Sequence, residues 1–100
     1  MIRGETVTMT MSGFPIPVAS IKSLHIVFKT ASQVLLEKTL EDCSVLDEVI
    51  TLKLSQEDSL KLTVGPIQRN IIVVTDDGSR FECGPFIMCC YPSGKPEVVE

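Results

Sequence analysis

Apolar and polar residues trade places along this chain with a period of two rather than 3.6. Val7, Met9 and Met11 alternate with Thr6, Thr8 and Thr10. Leu24, Ile26 and Phe28 alternate with His25, Val27 and Lys29, and Ile50, Leu52 and Leu54 with Thr51 and Lys53. Successive strand side chains point to opposite faces, so each triplet reads as the buried side of a half-buried strand. Residues 60–64 alternate again and are expected to form a strand, as are 80–83 and 86–90. Gln33 to Leu40 is β-rich but less regular. Ile71-Ile72-Val73-Val74 is an unbroken β-branched run, which predicts a central strand buried on both sides.

The residues between these runs behave as punctuation. Asp76-Asp77-Gly78-Ser79 predicts a hairpin turn with positive φ at Gly78 and tolerated at Asp77. Thr30-Ala31-Ser32 is a shorter link. Pro66 offers no amide hydrogen to a ladder, so Gly65-Pro66 is expected to close a strand. Pro15 and Pro17 keep Phe14 and Ile16 extended but out of a central strand. In Leu54-Ser55-Gln56-Glu57-Asp58-Ser59-Leu60, Ser55 fits a helix cap with Asp58 reaching back from the third position. One helical turn there would reverse the chain, which makes the acidic run a corner rather than a site. Seven or eight short antiparallel strands at spacings of about 8–12 residues predict an all-β sandwich. It is expected to be a single domain over residues 1–91. Residues 92–100 read as a C-terminal tail that a partner would order.

One hundred residues suit a single domain, and 44% apolar content suits a folded one. The net charge of −4 and nine scattered basic residues argue against nucleic acid as a partner. No apolar run is long enough for a membrane helix, and the first residues lack the apolar core of a secretion signal. Synthesis and folding in a cytoplasm are therefore expected, with Cys43, Cys83, Cys89 and Cys90 as free thiols. A disulfide from Cys43 to Cys83 or Cys90, on paired strands, is the alternative. Cys89 and Cys90 are adjacent and should face opposite ways, unlike a zinc pair.

Catalytic chemistry has little to stand on. His25 is the lone histidine, on the strand face opposite Leu24, Ile26 and Phe28, where a surface or rim position is expected. The carboxylate pairs Glu41-Asp42, Asp47-Glu48 and Asp76-Asp77 fall in apparent turns. Neither enzyme activity, cofactor nor metal is expected. Two apolar stretches remain that would be costly to leave wet. They are the proline-bearing stretch from Gly13 to Val18 and the apolar run from Phe86 through Ile87 to Pro92, in which Phe14, Pro15, Ile16, Pro17, Phe86, Met88 and Tyr91 stand out. Together with Gln56 and Glu57 at the corner, they are the candidate interface residues.

The order of several short motifs resembles a group of small structural proteins of Gram-positive prophages. These are Arg3-Gly4-Glu5-Thr6, Ile21-Lys22-Ser23-Leu24, Leu36-Glu37-Lys38, Leu54 to Leu60, Gln68-Arg69-Asn70, Asp77-Gly78 and Glu97-Val98-Val99. Pro15-Ile16-Pro17 and the adjacency of Gln68 and Arg69 depart from that pattern locally. The chain also resembles, more loosely, the immunoglobulin-like N-terminal domain of baseplate upper proteins. The resemblance implies an immunoglobulin-like sandwich serving as a virion component of the tail or baseplate, without enzymatic activity. Its partners would be other virion proteins, in several symmetric copies. A head decoration or neck protein is the alternative within that class. A carbohydrate-binding module is the alternative outside it, with Tyr91, Phe14 and Phe86 as candidate stacking residues.

Overall fold

The computed structural model describes residues 1–100 as two antiparallel sheets packed face to face. In chain order the strands are β1 (Val7–Met11), β2 (Ile21–Lys29), β3 (Val34–Thr39), β4 (Cys43–Leu46), β5 (Val49–Leu54), β6 (Gly65–Thr75) and β7 (Arg80–Cys90). One sheet runs β1-β5-β4 and the other β3-β2-β6-β7. These are the B-E-D and C′-C-F-G orders of an immunoglobulin sandwich, so the fold is immunoglobulin-like in topology as well as in layering. Immunoglobulin strand A is reduced to a single parallel bridge between Ile2 and Tyr91.

The period-two rows become the core. Leu24, Ile26 and Phe28 on β2 and Ile50, Leu52 and Leu54 on β5 are all at most 1% exposed. They belong to one buried cluster with Ile67, Ile71 and Val73 of β6. On β1 only Met11 is fully buried, while Val7 and Met9 pack at its margin. β6 is central, between β2 and β7, but it is not buried on both sides. Ile71, Val73 and Thr75 face inward, whereas Ile72 and Val74 are only half-buried on an outer face that no second layer covers.

The corner after β5 forms as its local chemistry dictates. α1 (Gln56–Leu60) is capped by Ser55, whose hydroxyl accepts from the Asp58 amide at 3.1 Å. The Asp58 carboxylate accepts from the Ser55 amide at 3.2 Å, completing the box. Asp58 also pairs with Lys38 of β3 at 3.0 Å, both side chains being largely buried. Burial pushes the Asp58 pKa up, but Lys38 and the Ser55 bonds outweigh it and hold the carboxyl below its ordinary value. The helix thereby ties one sheet to the other.

Residues 60–64 are not a strand. Leu60 ends α1, Leu62 drops into the core at 0% exposure, and Val64 is exposed. A helix end followed by one inward leucine produces the same alternation. Gly65-Pro66 opens β6 instead of closing a strand. Pro66 pairs with Cys89 of β7, while the β2–β6 ladder starts only at Gln68. Its missing amide hydrogen therefore falls where β6 has no neighbour on that side. β4 did not stand out in the sequence; it is a four-residue strand with Ser44, Val45 and Leu46 exposed. Nor are all the strands short, since β6 and β7 run eleven residues each.

The Asp76–Ser79 turn has positive φ at Gly78 but not at Asp77. Asp77 serves as an acceptor instead, taking the Thr75 hydroxyl and the Ser79 amide. Those hydrogen bonds, Thr75's first, hold its pKa down to about 2. No cysteine pair is joined. Cys43 lies on β4, at the edge of one sheet, while Cys83 and Cys90 lie on β7, at the edge of the other. They are therefore not on paired strands, where the bridge was expected, and all four thiols are free. As expected, Cys89 is exposed and Cys90 buried.

Two stability predictions follow from these caps. Asp58→Ala removes the carboxylate half of the box and the Lys38 ion pair while leaving the Ser55 hydroxyl bond to the residue-58 amide, and should cost about 2 kcal/mol in urea unfolding. A depressed carboxyl pKa stabilises the fold above its unfolded value of about 3.9, and that contribution is lost as pH falls toward about 2. Urea midpoints measured at steps from about pH 5 to pH 2 should therefore fall less steeply in Asp77→Asn than in the parent protein.

Candidate functional site

With three strands facing four, β7 overhangs the smaller sheet. The β6–β7 register places Phe81, Cys83, Phe86 and Met88 opposite Val73, Ile71, Arg69 and Ile67, all on the inward side. Yet Phe81 and Phe86 are 37% and 44% exposed, because no strand of the other sheet covers them. Ile87 points outward from the same strand and is 63% exposed. Toward solvent, the β7 backbone is paired only at its end. There the N-terminal amine donates to the Cys89 carbonyl and the Tyr91 amide to that of Met1. The remainder of the strand is an open edge, of the kind that pairs with another chain.

That edge has two unlike halves. Arg80 and Glu82 form an exposed ion pair at 3.5 Å on the first half. A bulge follows, where the register shifts between Arg69 and Ile71 and Gly84 takes φ +108. A Cβ on Gly84 would stand 2.8 Å from the Arg69 carbonyl oxygen, so glycine is required there. Beyond Pro85 the strand is apolar through Phe86, Ile87 and Met88. Charge, bulge and proline guard one half of the edge and the N-terminal segment covers its far end, which leaves Phe86 to Met88 between them unguarded.

Inside the overhang lies a groove of about 300 Å³ between the end of β1 and the inner faces of β6 and β7. Phe14 and Thr10 stand on one side of it, and Ile71, Cys83 and Phe86 on the other. Arg69 enters this groove without a carboxylate. Its guanidinium sits 5.1 Å from the Phe86 ring centre, and Nη1 donates to the Met9 sulfur at 3.3 Å. Nε is buried and has no partner. Burial lowers the Arg69 pKa, as expected for a desolvated cation with no counter-charge.

The predicted interface residues divide between places. Phe14 and Phe86 are brought together on the groove. Ile16 lines a neighbouring hollow of about 240 Å³ with Phe81. Phe14 and Ile16 are half-buried and pack on the core, so they cap it as well, while Pro15 and Pro17 are exposed. Met88 is half-buried against the core. Tyr91 is 58% exposed, past the end of β7 beside the N-terminus. Gln56 and Glu57 lie at the α1 corner. Gln56 engages the tail, its amide nitrogen donating to the Val99 carbonyl and its oxygen accepting from the Val99 amide, both at 2.8 Å. The tail is thus held by this chain itself.

Arg69 and Phe81 were not among the sequence candidates, and Ile87 was included only as part of the apolar run from Phe86 to Pro92. The available signal was an arginine at an inward position of a period-two row, between Ile67 and Ile71. His25 is half-buried on the outer face of β2 opposite Thr39, with Lys22 and Glu41 beside it. No three His, Cys, Asp or Glu side chains gather closely enough to hold a metal ion. Desolvating a cation without a counter-charge costs more than one cation–π contact returns. Arg69→Met should therefore stabilise the isolated protein by about 1 kcal/mol, read as a higher urea midpoint.

Comparison of the chain with models of known protein families, with curated proteins and with solved structures returns no match.

Proposed function

We propose that this domain is a structural docking module of a bacteriophage virion, sited in the tail or baseplate and present in several symmetric copies. The observation that carries the docking reading is the unguarded stretch of β7 from Phe86 to Met88, an open strand edge bearing Phe86 and Ile87 above an uncovered inner face. Main-chain hydrogen bonds to such an edge supply affinity, and the flanking side chains supply selectivity. The motif order from Arg3-Gly4-Glu5 to Glu97-Val98-Val99 supports the phage setting, and the immunoglobulin-like topology agrees with it. The exposed aromatics favour docking over sugar stacking. Phe81 and Phe86 face into the overhang, and Tyr91 stands apart from them past the end of β7, so they form no shared flat platform.

Phage particles released by a host carrying the gene should contain this chain, detectable by mass spectrometry and by antibody labelling at one position on the tail. Ile87→Lys, which keeps the core intact, should be absent from particles while the soluble protein retains its β-type circular dichroism. Particles that lack the parent chain, or that take up Ile87→Lys as readily as the parent, would refute the reading.

A further inference from the structure

The sandwich is one strand short, and the gap has a definite chemistry. Beside β1, where immunoglobulin strand A would lie, the outer edge of Val7–Met11 has no strand partner, because β1 pairs with β5 alone. The N-terminal segment that could have filled it goes to β7 instead, through Ile2 and Tyr91. An extended segment lying there would have an open edge to pair with on β1. It would also have Phe86 and Cys83 to cover, and Arg69 to neutralise. The groove residues include no acid, so the occupant must bring one. Its chemistry is therefore β-prone, apolar and acidic.

This chain carries such a segment. Glu97-Val98-Val99-Glu100 has two β-branched residues, 51% exposed each, between two carboxylates. It forms no strand of its own, and its backbone is held through Val99 by the Gln56 side chain. Two hydrogen bonds from one amide imitate a single step of a ladder, so a full ladder could replace them. Its own groove is at the wrong end. Gln56 follows Leu54, which pairs with Val7, whereas the groove lies at the Met11 end of β1.

We propose that the groove between β1 and β7 receives the Glu97–Glu100 segment of a second copy of this chain, laid along the open edge of β1 with a carboxylate on Arg69. The inference rests on the docking reading above and names its partner. The contact is head-to-tail, because tail and groove are different surfaces, so repetition closes a ring or extends a filament. Exchange competes with the Gln56 contact, which makes Gln56 a brake on assembly.

The test uses sedimentation velocity on the full chain and on a chain ending at residue 95. A fluorescent peptide of residues 92–100 serves as the probe. The full chain should form larger species as concentration rises, the shortened chain should stay monomeric, and Gln56→Ala should shift association to lower concentration. The peptide should bind the shortened chain, and Arg69→Met or a Glu97→Gln, Glu100→Gln peptide should weaken it by about tenfold, as should raised salt. Circular dichroism checks that each variant is folded. Association that survives removal of residues 96–100, or peptide binding indifferent to Arg69→Met, overturns the tail exchange. If that association is still lost in Ile87→Lys, docking through the edge stands without it. No association in any form, with the chain missing from particles, removes both.

Discussion

Two rows of side chains, Leu24-Ile26-Phe28 on β2 and Ile50-Leu52-Leu54 on β5, are the contact on which everything else depends. Each sits on a different sheet, and all six are at most 1% exposed. Fully burying a side chain of this kind contributes roughly 1.5–3 kcal/mol. Losing register by one residue on either strand would turn its whole row outward. The pairing of the sheets is therefore strongly specified near β2 and β5. It is weakly specified toward β7, which the smaller sheet does not reach. The overhang exists because the core is centred on two strands while the larger sheet continues beyond them.

The ends of the chain are arranged to leave that overhang open. The Arg3 guanidinium reaches the carbonyls of Leu60 and Leu62, where α1 ends. The Gly4 amide donates to Ser59 at 2.7 Å, which satisfies one of the few buried hydroxyls. These bonds fix the N-terminal segment against the α1 corner, and the parallel bridge to Tyr91 then fixes it to the end of β7. A chain held in this way cannot also run along β1. At the opposite end, the Val18 amide donates to Glu48 at 2.8 Å and the Asp76 amide to the Ser20 carbonyl at 2.9 Å. They hold the crossing from β1 to β2 against both sheets. The gap beside β1 is bounded by bonded segments on each side, and so it is part of the architecture rather than a frayed margin.

Much of the fold was legible because its signals are local. The Ser55–Asp58 box needs four consecutive residues and formed as read. The Asp76–Ser79 turn did too, apart from the backbone of Asp77, whose side chain found better use as an acceptor. The buried rows of β2 and β5 were visible for the same reason, being set by alternation alone. What failed was non-local. Leu60, Leu62 and Val64 satisfy a period of two, yet the capping box had already committed Leu60 to a helix. Pro66 looked like a terminator, and only the late start of the β2–β6 ladder makes it harmless. Of the site, Phe14 and Phe86 were legible as costly apolar surface. Arg69 was not, since its meaning depends on how many strands the opposite sheet has, a number no window of sequence contains.

The position of Arg69 argues for function more than its identity does. A desolvated cation resting on an aromatic ring and a thioether is a poor choice for holding a core together, and an apolar residue in that register would match Ile67, Ile71 and Val73. Natural proteins keep such costs where they set which partner is accepted. An apolar groove beside two open edges would take up any β-prone segment, including exposed strands of unfolded neighbours. A half-buried positive charge makes that uptake conditional, because a neutral segment would seal the guanidinium away unpaired, whereas an acidic one satisfies it. The Arg80–Glu82 pair and the Gly84-Pro85 bulge restrict the other half of β7 by different means. Between them they leave only Phe86 to Met88 of that edge open, beside a groove whose one charge is positive.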